Sequence, residues 1–210
     1  MKDYEALSRK HFDSQACEYD ARETAYYSKY PKISCRDVCE RLRSVSYAKL
    51  LDVGCGTGYL FELLLAQREA EYHGLDLSPE MLKMAEAKFN GRVALVEGAA
   101  DRLPYADNSF DVVTCIQSFH HYPDPDKAMQ EAFRVLKPEG LYILSDTGVG
   151  GIGGWFDNHI LFPLMKSGDH HTENRHGIAR RMEKNGFTVL EKQQVKGFIY
   201  TVIGRKGIKL

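Results

Sequence analysis

The sequence predicts an α/β fold built on a largely parallel sheet, and three observations lead there. From about residue 48, short apolar runs alternate with amphipathic stretches, as successive βα units require. Two helices open on the same device, an N-capping side chain followed by proline: Ser78-Pro79 and Asp124-Pro125. The closing FTVLEKQQVKGFIYTVIGRK reads as two antiparallel strands turning around Lys196 and Gly197. The parallel strands fall at Lys49 to Val53, Glu71 to Leu75, Val93 to Val96, Phe110 to Ile116 and Gly140 to Ser145. The second capped helix, AMQEAFRVLK, carries Met129, Phe133 and Leu136 at helical spacing. After Asp146 comes TGVGGIGGWFDNHILFPL, a glycine stretch leading into a bulky apolar segment. A charged helix is expected from about Thr172 to Asn185, stopped by Gly186. Residues 1–46 are polar, tyrosine-rich and expected to be helical, with a break at Pro31.

A length of 210 residues with 43% hydrophobic content fits one domain, residues 1–210. Lys and Arg number 28 against 29 Asp and Glu, a net charge of -1, so nothing drives the chain as a whole toward nucleic acid or an anionic membrane. The opening MKDYEALSRKHFDSQ lacks the apolar stretch of a signal peptide and no apolar run reaches membrane-spanning length, so a cytoplasmic location is expected. Five cysteines at irregular spacing (Cys17, Cys35, Cys39, Cys55 and Cys115) do not form a disulfide framework. Cys35 and Cys39 share a helical face and are expected to be buried.

LLDVGCGTGYL is a strand, a turn with glycines at 54, 56 and 58, and a helix start. Such a turn lets backbone approach a ligand closely and aims helix N-terminal amides at it. Tyr59 stands where the dinucleotide pattern GxGxxG needs its last glycine, which argues against a nicotinamide cofactor. Asp76 ends YHGLD twenty residues beyond Gly56, the offset at which a carboxylate accepts hydrogen bonds from ribose hydroxyls. The competing role for Asp76, a helix cap, is already filled by Ser78.

With HGLDLSPEMLKMAEAK, EGAADRLPYADNSFDVV and FRVLKPEGLYILSD following in order, the chain resembles class I S-adenosylmethionine-dependent methyltransferases. The likeness is to the small-molecule branch that includes ubiquinone and menaquinone biosynthesis enzymes (methyltransferase type 11). It is strong over residues 45–146 and looser for HFDSQACEYD, which resembles that branch's N-terminal lid. The resemblance implies a Rossmann-like, seven-stranded, mostly parallel sheet with a C-terminal antiparallel hairpin and helices on both faces. The domain then divides into a helical lid (1–46), a cofactor-binding core (47–146), an acceptor-side insertion and helix (147–186) and the hairpin (187–210). It implies S-adenosylmethionine as cofactor and a methyl transfer to a small-molecule acceptor. Asp52 would face the methionine ammonium, Gly54, Cys55, Gly56 and Gly58 would wrap the amino-acid portion, and Asp76 would hold the ribose. Leu77 and Met81 would pack near the adenine, and Tyr19 of the lid would contact the cofactor or close over it. The branch often carries an acid directly after the glycine of GDAxxLP, where this chain has Gly98-Ala99. Two readings stay open: Asp101 takes over the adenine contact, or the backbone of Ala99 and Ala100 suffices.

CIQSFHHYPDP follows the fourth strand and so sits at the carboxyl edge of the sheet, where open α/β folds bind ligands. Gln117 and Ser118 are candidates to line the cofactor, and His120 and His121 to face the acceptor as a base. The competing reading gives both histidines packing and loop-bonding roles. His170, His171 and His176 lack a recognised metal spacing, so no metal is expected. The glycines from Gly148 to Gly154 read as a hinge, and Trp155, Phe156, Ile160, Leu161, Phe162 and Leu164 as a roof over the acceptor, or else a dimer contact or plain core. The rival to an enzyme is a non-catalytic S-adenosylmethionine-binding regulatory or partner protein of the same fold.

Overall fold

The computed structural model describes residues 3–21, 29–164 and 169–207. The parts of the lid and of the insertion at 22–28 and 165–168 lie outside them. In chain order the elements are α1 (Tyr4–Tyr19), α2 (Tyr30–Leu42), β1 (Lys49–Val53), α3 (Tyr59–Leu65), β2 (Glu71–Asp76), α4 (Pro79–Phe89), β3 (Ala94–Glu97) and β4 (Phe110–Ile116). There follow a 3-10 turn (Phe119–His121), α5 (Pro125–Val135), β5 (Leu136–Thr147), α6 (Gly151–Phe156), a π turn (Asp157–Leu161), α7 (Phe162–Leu164), α8 (Arg175–Lys184), β6 (Phe187–Lys196) and β7 (Ile199–Lys206).

The strands form one seven-stranded sheet in the order β3-β2-β1-β4-β5-β7-β6. All pairs are parallel except β5 with β7 and β7 with β6. β1 pairs with β2 on one side and β4 on the other, so the chain winds outward in both directions from β1. The loops after β1 and β4 therefore part at their carboxyl ends and open a crevice there. Alternation along β1 sends Leu51 and Val53 to one face, packed with α5 and α8, and Leu50 to the other, packed with α2, α3 and α4. Both faces are covered, as a parallel sheet requires.

The capping signals act as expected: Ser78 Oγ accepts from Met81 N at 3.1 Å and Asp124 Oδ1 from Lys127 N at 2.9 Å. Two expectations need correction. Leu136 does not continue α5; it begins β5 opposite Phe110, and a bulge between Phe110 and Val112 absorbs the register shift. Its full burial is as well served by a strand as by a helix, and the spacing alone did not separate them. The charged helix starts at Arg175 and not Thr172, because Asn174 caps it by accepting from His176 N and Gly177 N, both at 3.0 Å. Among the described residues no helix is long and apolar enough to cross a membrane.

Candidate active site

The turn after β1 is fixed from below. Gly54 N and Cys55 N both donate to Leu75 O, at 2.7 and 3.0 Å, pinning the turn to the end of β2. Asp76, at the tip of β2, accepts from Gly56 N at 2.7 Å and Ser78 N at 2.9 Å, so one carboxylate ties the loops after β1 and β2 together. Gly54 and Gly56 have φ of +76° and +54°, which favour glycine, but their surroundings differ. A Cβ on Gly54 would lie 2.0 Å from Ser118 Oγ, whereas one on Gly56 would meet nothing within 4 Å. Gly54 is small for packing; Gly56 faces open space.

That space is a cavity of about 1070 Å³ including its mouth. Of the candidate positions, Tyr19, Asp52, Gly54, Cys55, Gly56, Asp76, Leu77, Met81, Ala99, Ala100, Asp101, Gln117, Ser118 and His121 line it. Gly58 and His120 do not. Gly58 turns toward Phe89 of α4, whose ring would sit 2.4 Å from an added Cβ, so its smallness serves helix packing. Asp101 lines the cavity while paired with Lys127 and Arg102, each at 3.3 Å.

Two carboxylates share this end of the cavity, Asp52 buried and Asp76 half-buried. Asp52 is 3% exposed; burial pushes its carboxyl up to about 7, against the hydrogen bond from Thr114 Oγ1 at 2.7 Å and with the charge of Asp76 adding to the rise. Burial also raises Asp76, opposed by the amides of Ser78, Gly56 and Leu77. A cationic group and a pair of hydroxyls are what such carboxylates lack. Leu77, Met81, Ala99 and Ala100 supply apolar surface for a flat ring beside them. The donor set fits S-adenosylmethionine, with its ammonium, ribose and adenine.

Helix α1 lies across the cavity and contributes Glu5, Ser8, Phe12 and Tyr19 to its wall. It is latched along its C-terminal half: Ser78 Oγ donates to Asp13 at 2.6 Å, Thr57 Oγ1 donates to Asp20 at 2.7 Å, and Lys88 pairs with Asp20 at 2.6 Å. Sequence reasoning missed Ser8, Phe12 and Thr57. The HFDSQACEYD resemblance held a signal for Phe12, which lies within it, but Thr57 is recognisable only once Asp20 is placed beside it.

The loop after β4 adds Gln117, Ser118, His121 and Tyr122 to the wall, with Ser118 and Tyr122 directly against the glycine turn. Gln117 has φ of +51°, held by its side-chain bond to Ser34 Oγ at 2.9 Å. Tyr122, also missed, packs under the glycine turn, bonded to Ser118 Oγ at 2.9 Å and Val53 O at 3.2 Å. His120 lies behind His121 and is gripped by Asp146, which takes its Nδ1 at 2.7 Å and its backbone N at 3.1 Å.

The expected roof is not there. None of Trp155, Phe156, Ile160, Leu161, Phe162 or Leu164 lines the cavity, and Trp155 and Leu164 are 56% and 78% exposed. Gly148 and Gly150 pack instead against Glu173 and Asn174, within 2.1 Å of an added Cβ, which turns the segment outward. Trp155→Ser with Leu164→Ser is therefore expected to keep cofactor affinity within about twofold, as for surface changes generally. Calorimetric titration checks this, and a tenfold loss would restore the roof.

Comparison with known proteins agrees with this geometry. The family described as "Methyltransferase domain" matches residues 51–144, the stretch from β1 through β5. A demethylmenaquinone methyltransferase of Desulfitobacterium hafniense (strain Y51) is 32% identical over 176 residues, covering 78% of this chain and 70% of that one. One from Geobacillus kaustophilus (strain HTA426) is 38% identical over 141 residues, 61% of this chain and 60% of its own length. Among solved structures, a chain of the Haloferax volcanii complex between the Trm112 methyltransferase activator and a methyltransferase superposes with a TM-score of 0.81 at 19% identity. That superposition covers 97% of this chain and 99% of that one. Bacillus subtilis YcgJ gives 0.70 at 19% identity over 84% of this chain and 99% of its own. At such identities the structures speak for the fold alone. The family match falls on the strands and loops that carry Asp52, the glycine turn and Asp76, and the Desulfitobacterium relative extends the likeness over most of both chains. The protein belongs to the class I S-adenosylmethionine-dependent methyltransferases.

Proposed function

We propose that the protein methylates a small molecule that enters at the His121 end of the cavity. The observation that carries this is one shared cavity: the glycine turn, Asp52 and Asp76 line it together with His121 from the loop after β4, and α1 contributes to its wall. A latched helix over the site favours an acceptor that fits inside over a macromolecular surface. The acceptor end is aromatic, with Phe12 edge-on to His121 at 5.1 Å. The name of the Desulfitobacterium relative, a demethylmenaquinone methyltransferase, supports a hydroxylated or quinone-like ring as the class of acceptor.

When bound, S-adenosylmethionine supplies an electrophilic methyl on a sulfonium. Asp52, the glycine turn and Asp76 would hold it, with Leu77, Met81 and Ala99 beside the adenine. The rest of the work is positional: α1 excludes water, Gln117 and Ser118 set the wall beside the reacting centre, and His121 meets the acceptor. Turnover to S-adenosylhomocysteine across a panel of phenols, naphthoquinols and amines tests the reading. Cofactor binding with no turnover on any ring or amine acceptor would favour the non-catalytic alternative. Asp76→Asn is expected to weaken S-adenosylmethionine by about 1–3 kcal/mol, through lost charge-assisted bonds. Unchanged affinity would remove Asp76 from the ribose.

A further inference from the structure

Two histidines from the turn after β4 and an aspartate from the segment preceding α8 meet beside the acceptor end. Asp169 Oδ1 lies 3.7 Å from His120 Nε2 and 3.9 Å from His121 Nδ1, and the three side chains bring a donor atom each within 4.8 Å of one another. The sequence separates them by almost fifty residues. The structure joins them because His170 N and His171 N both donate to His120 O, at 2.9 and 3.2 Å, docking the 169–171 segment on the 3-10 turn.

We propose that His120, His121 and Asp169 form a site for one divalent transition-metal ion of the zinc class. Four features converge on it. First, Asp146 accepts from His120 Nδ1 at 2.7 Å, which leaves Nε2 as the nitrogen facing Asp169, at 3.7 Å. A ligating histidine held through its other nitrogen by a carboxylate is the usual arrangement at zinc. Second, two histidines and one carboxylate are a common donor set for such ions, and they leave coordination positions open. Third, metal–ligand distances of about 2.0–2.2 Å put tetrahedral donors about 3.4 Å apart. The observed spacings, 3.7 and 3.9 Å to Asp169 and up to 4.8 Å across the three, need the side chains to close in by up to about 1.4 Å.

Fourth, the carboxylates on either side of His120 are buried: Asp146 and Asp169 are 1% and 8% exposed, and a cation between them would offset the cost of that burial. Arg181 is taken up by Asp126 and Glu173, at 2.7 and 2.6 Å. The alternative match is a proton on His120 shared between Asp146 and Asp169, and the experiment separates the two.

His121 lines the cavity and His120 does not, so the open positions of the ion would face the acceptor. An acceptor hydroxyl bound there would lose its proton to water more readily, leaving an oxyanion as nucleophile. This role rests on the methyltransferase reading; the binding of metal does not.

Tag-free protein stripped with a chelator is titrated with Co²⁺ and with Zn²⁺. One equivalent of Co²⁺ is expected to bind with visible d–d bands, and Zn²⁺ to displace it. On the wild-type protein, ¹⁵N-histidine NMR should show Zn²⁺ shifting His120 Nε2 and His121 Nδ1, a readout that needs no variant to fold. Asp169→Asn and His121→Gln should abolish the bands. Asp146→Asn, which touches no metal, should weaken binding by about 10- to 100-fold. His176→Gln, in the neighbouring histidine cluster, should change nothing. No stoichiometric binding, or bands indifferent to Asp169 and His121, would overturn the site and leave the shared proton, whatever the methyl-transfer assay gives.

Discussion

Gly54→Ala is expected to cost about 2–5 kcal/mol of stability, while Gly56→Ala, two residues on, costs only the backbone share of about 1–2 kcal/mol and loses cofactor affinity. Both residues have positive φ, which costs an alanine about 1–2 kcal/mol. At Gly54 the new methyl also meets Ser118 Oγ at 2.0 Å and Ser118 Cβ at 2.6 Å. The Oγ can rotate away, but the Cβ is fixed by the backbone of the loop after β4, so β1 or that loop must move. Overpacking of this kind adds about 1–3 kcal/mol. Against a total of about 5–15 kcal/mol, the sum is a large share of what holds the chain folded.

The two terms come apart in a double variant. Ser118→Gly in the Gly54→Ala background removes the two closest contacts and leaves the backbone strain with a 3.1 Å approach to the Tyr122 hydroxyl, so chemical denaturation should recover about 1–3 kcal/mol. Additive effects of the two substitutions would mean that Ser118 is not the obstacle. Gly56→Ala should instead lower S-adenosylmethionine affinity about tenfold or more, because its methyl projects into the cavity that the cofactor fills.

The contrast marks what was legible in the sequence. The strands could be read because buried parallel strands are short apolar runs between capping signals, and Ser78 and Asp124 mark their helices. Three glycines at 54, 56 and 58 read as one motif. Their division into packing at Gly54 and Gly58 and open space at Gly56 depends on Ser118 and Phe89, which reach the turn from other loops. Asp146 and Asp169 were invisible for the same reason: each is an ordinary residue until a 3-10 turn places His120 between them. The apolar run at 155–164 misled because hydrophobicity signals burial against something, and here the glycines that precede it pack so as to face it outward.

Cofactor binding is expected to be proton-linked through Asp52. Its folded-state carboxyl lies at about 7, far above the ordinary aspartate value near 4, chiefly because burial disfavours the charged form. As pH rises, the unfolded chain therefore gives up this proton first. The stabilisation is complete below pH 4 and is lost progressively up to about 7, on the order of a few kcal/mol. For the cofactor-free protein, Asp52→Asn should keep a Tm that wild type loses between pH 5 and 8, by roughly 5–10 °C. The carboxylates held low by cationic partners, such as Asp126, act in the opposite direction and at lower pH, so the difference between the two proteins isolates Asp52.

An ammonium beside Asp52 reverses the preference, since only the ionised form pairs with it. At pH 6 the bound state must then release close to one proton, seen as a dependence of calorimetric enthalpy on buffer ionisation. Affinity should rise about tenfold per pH unit below 7 and level off above it. The Asp52→Asn protein should bind weakly at every pH, with no proton released. A wild type that releases none at pH 6 would mean that the methionine end lies elsewhere. Asp76 would then remain as the carboxylate of this end that acts on the cofactor.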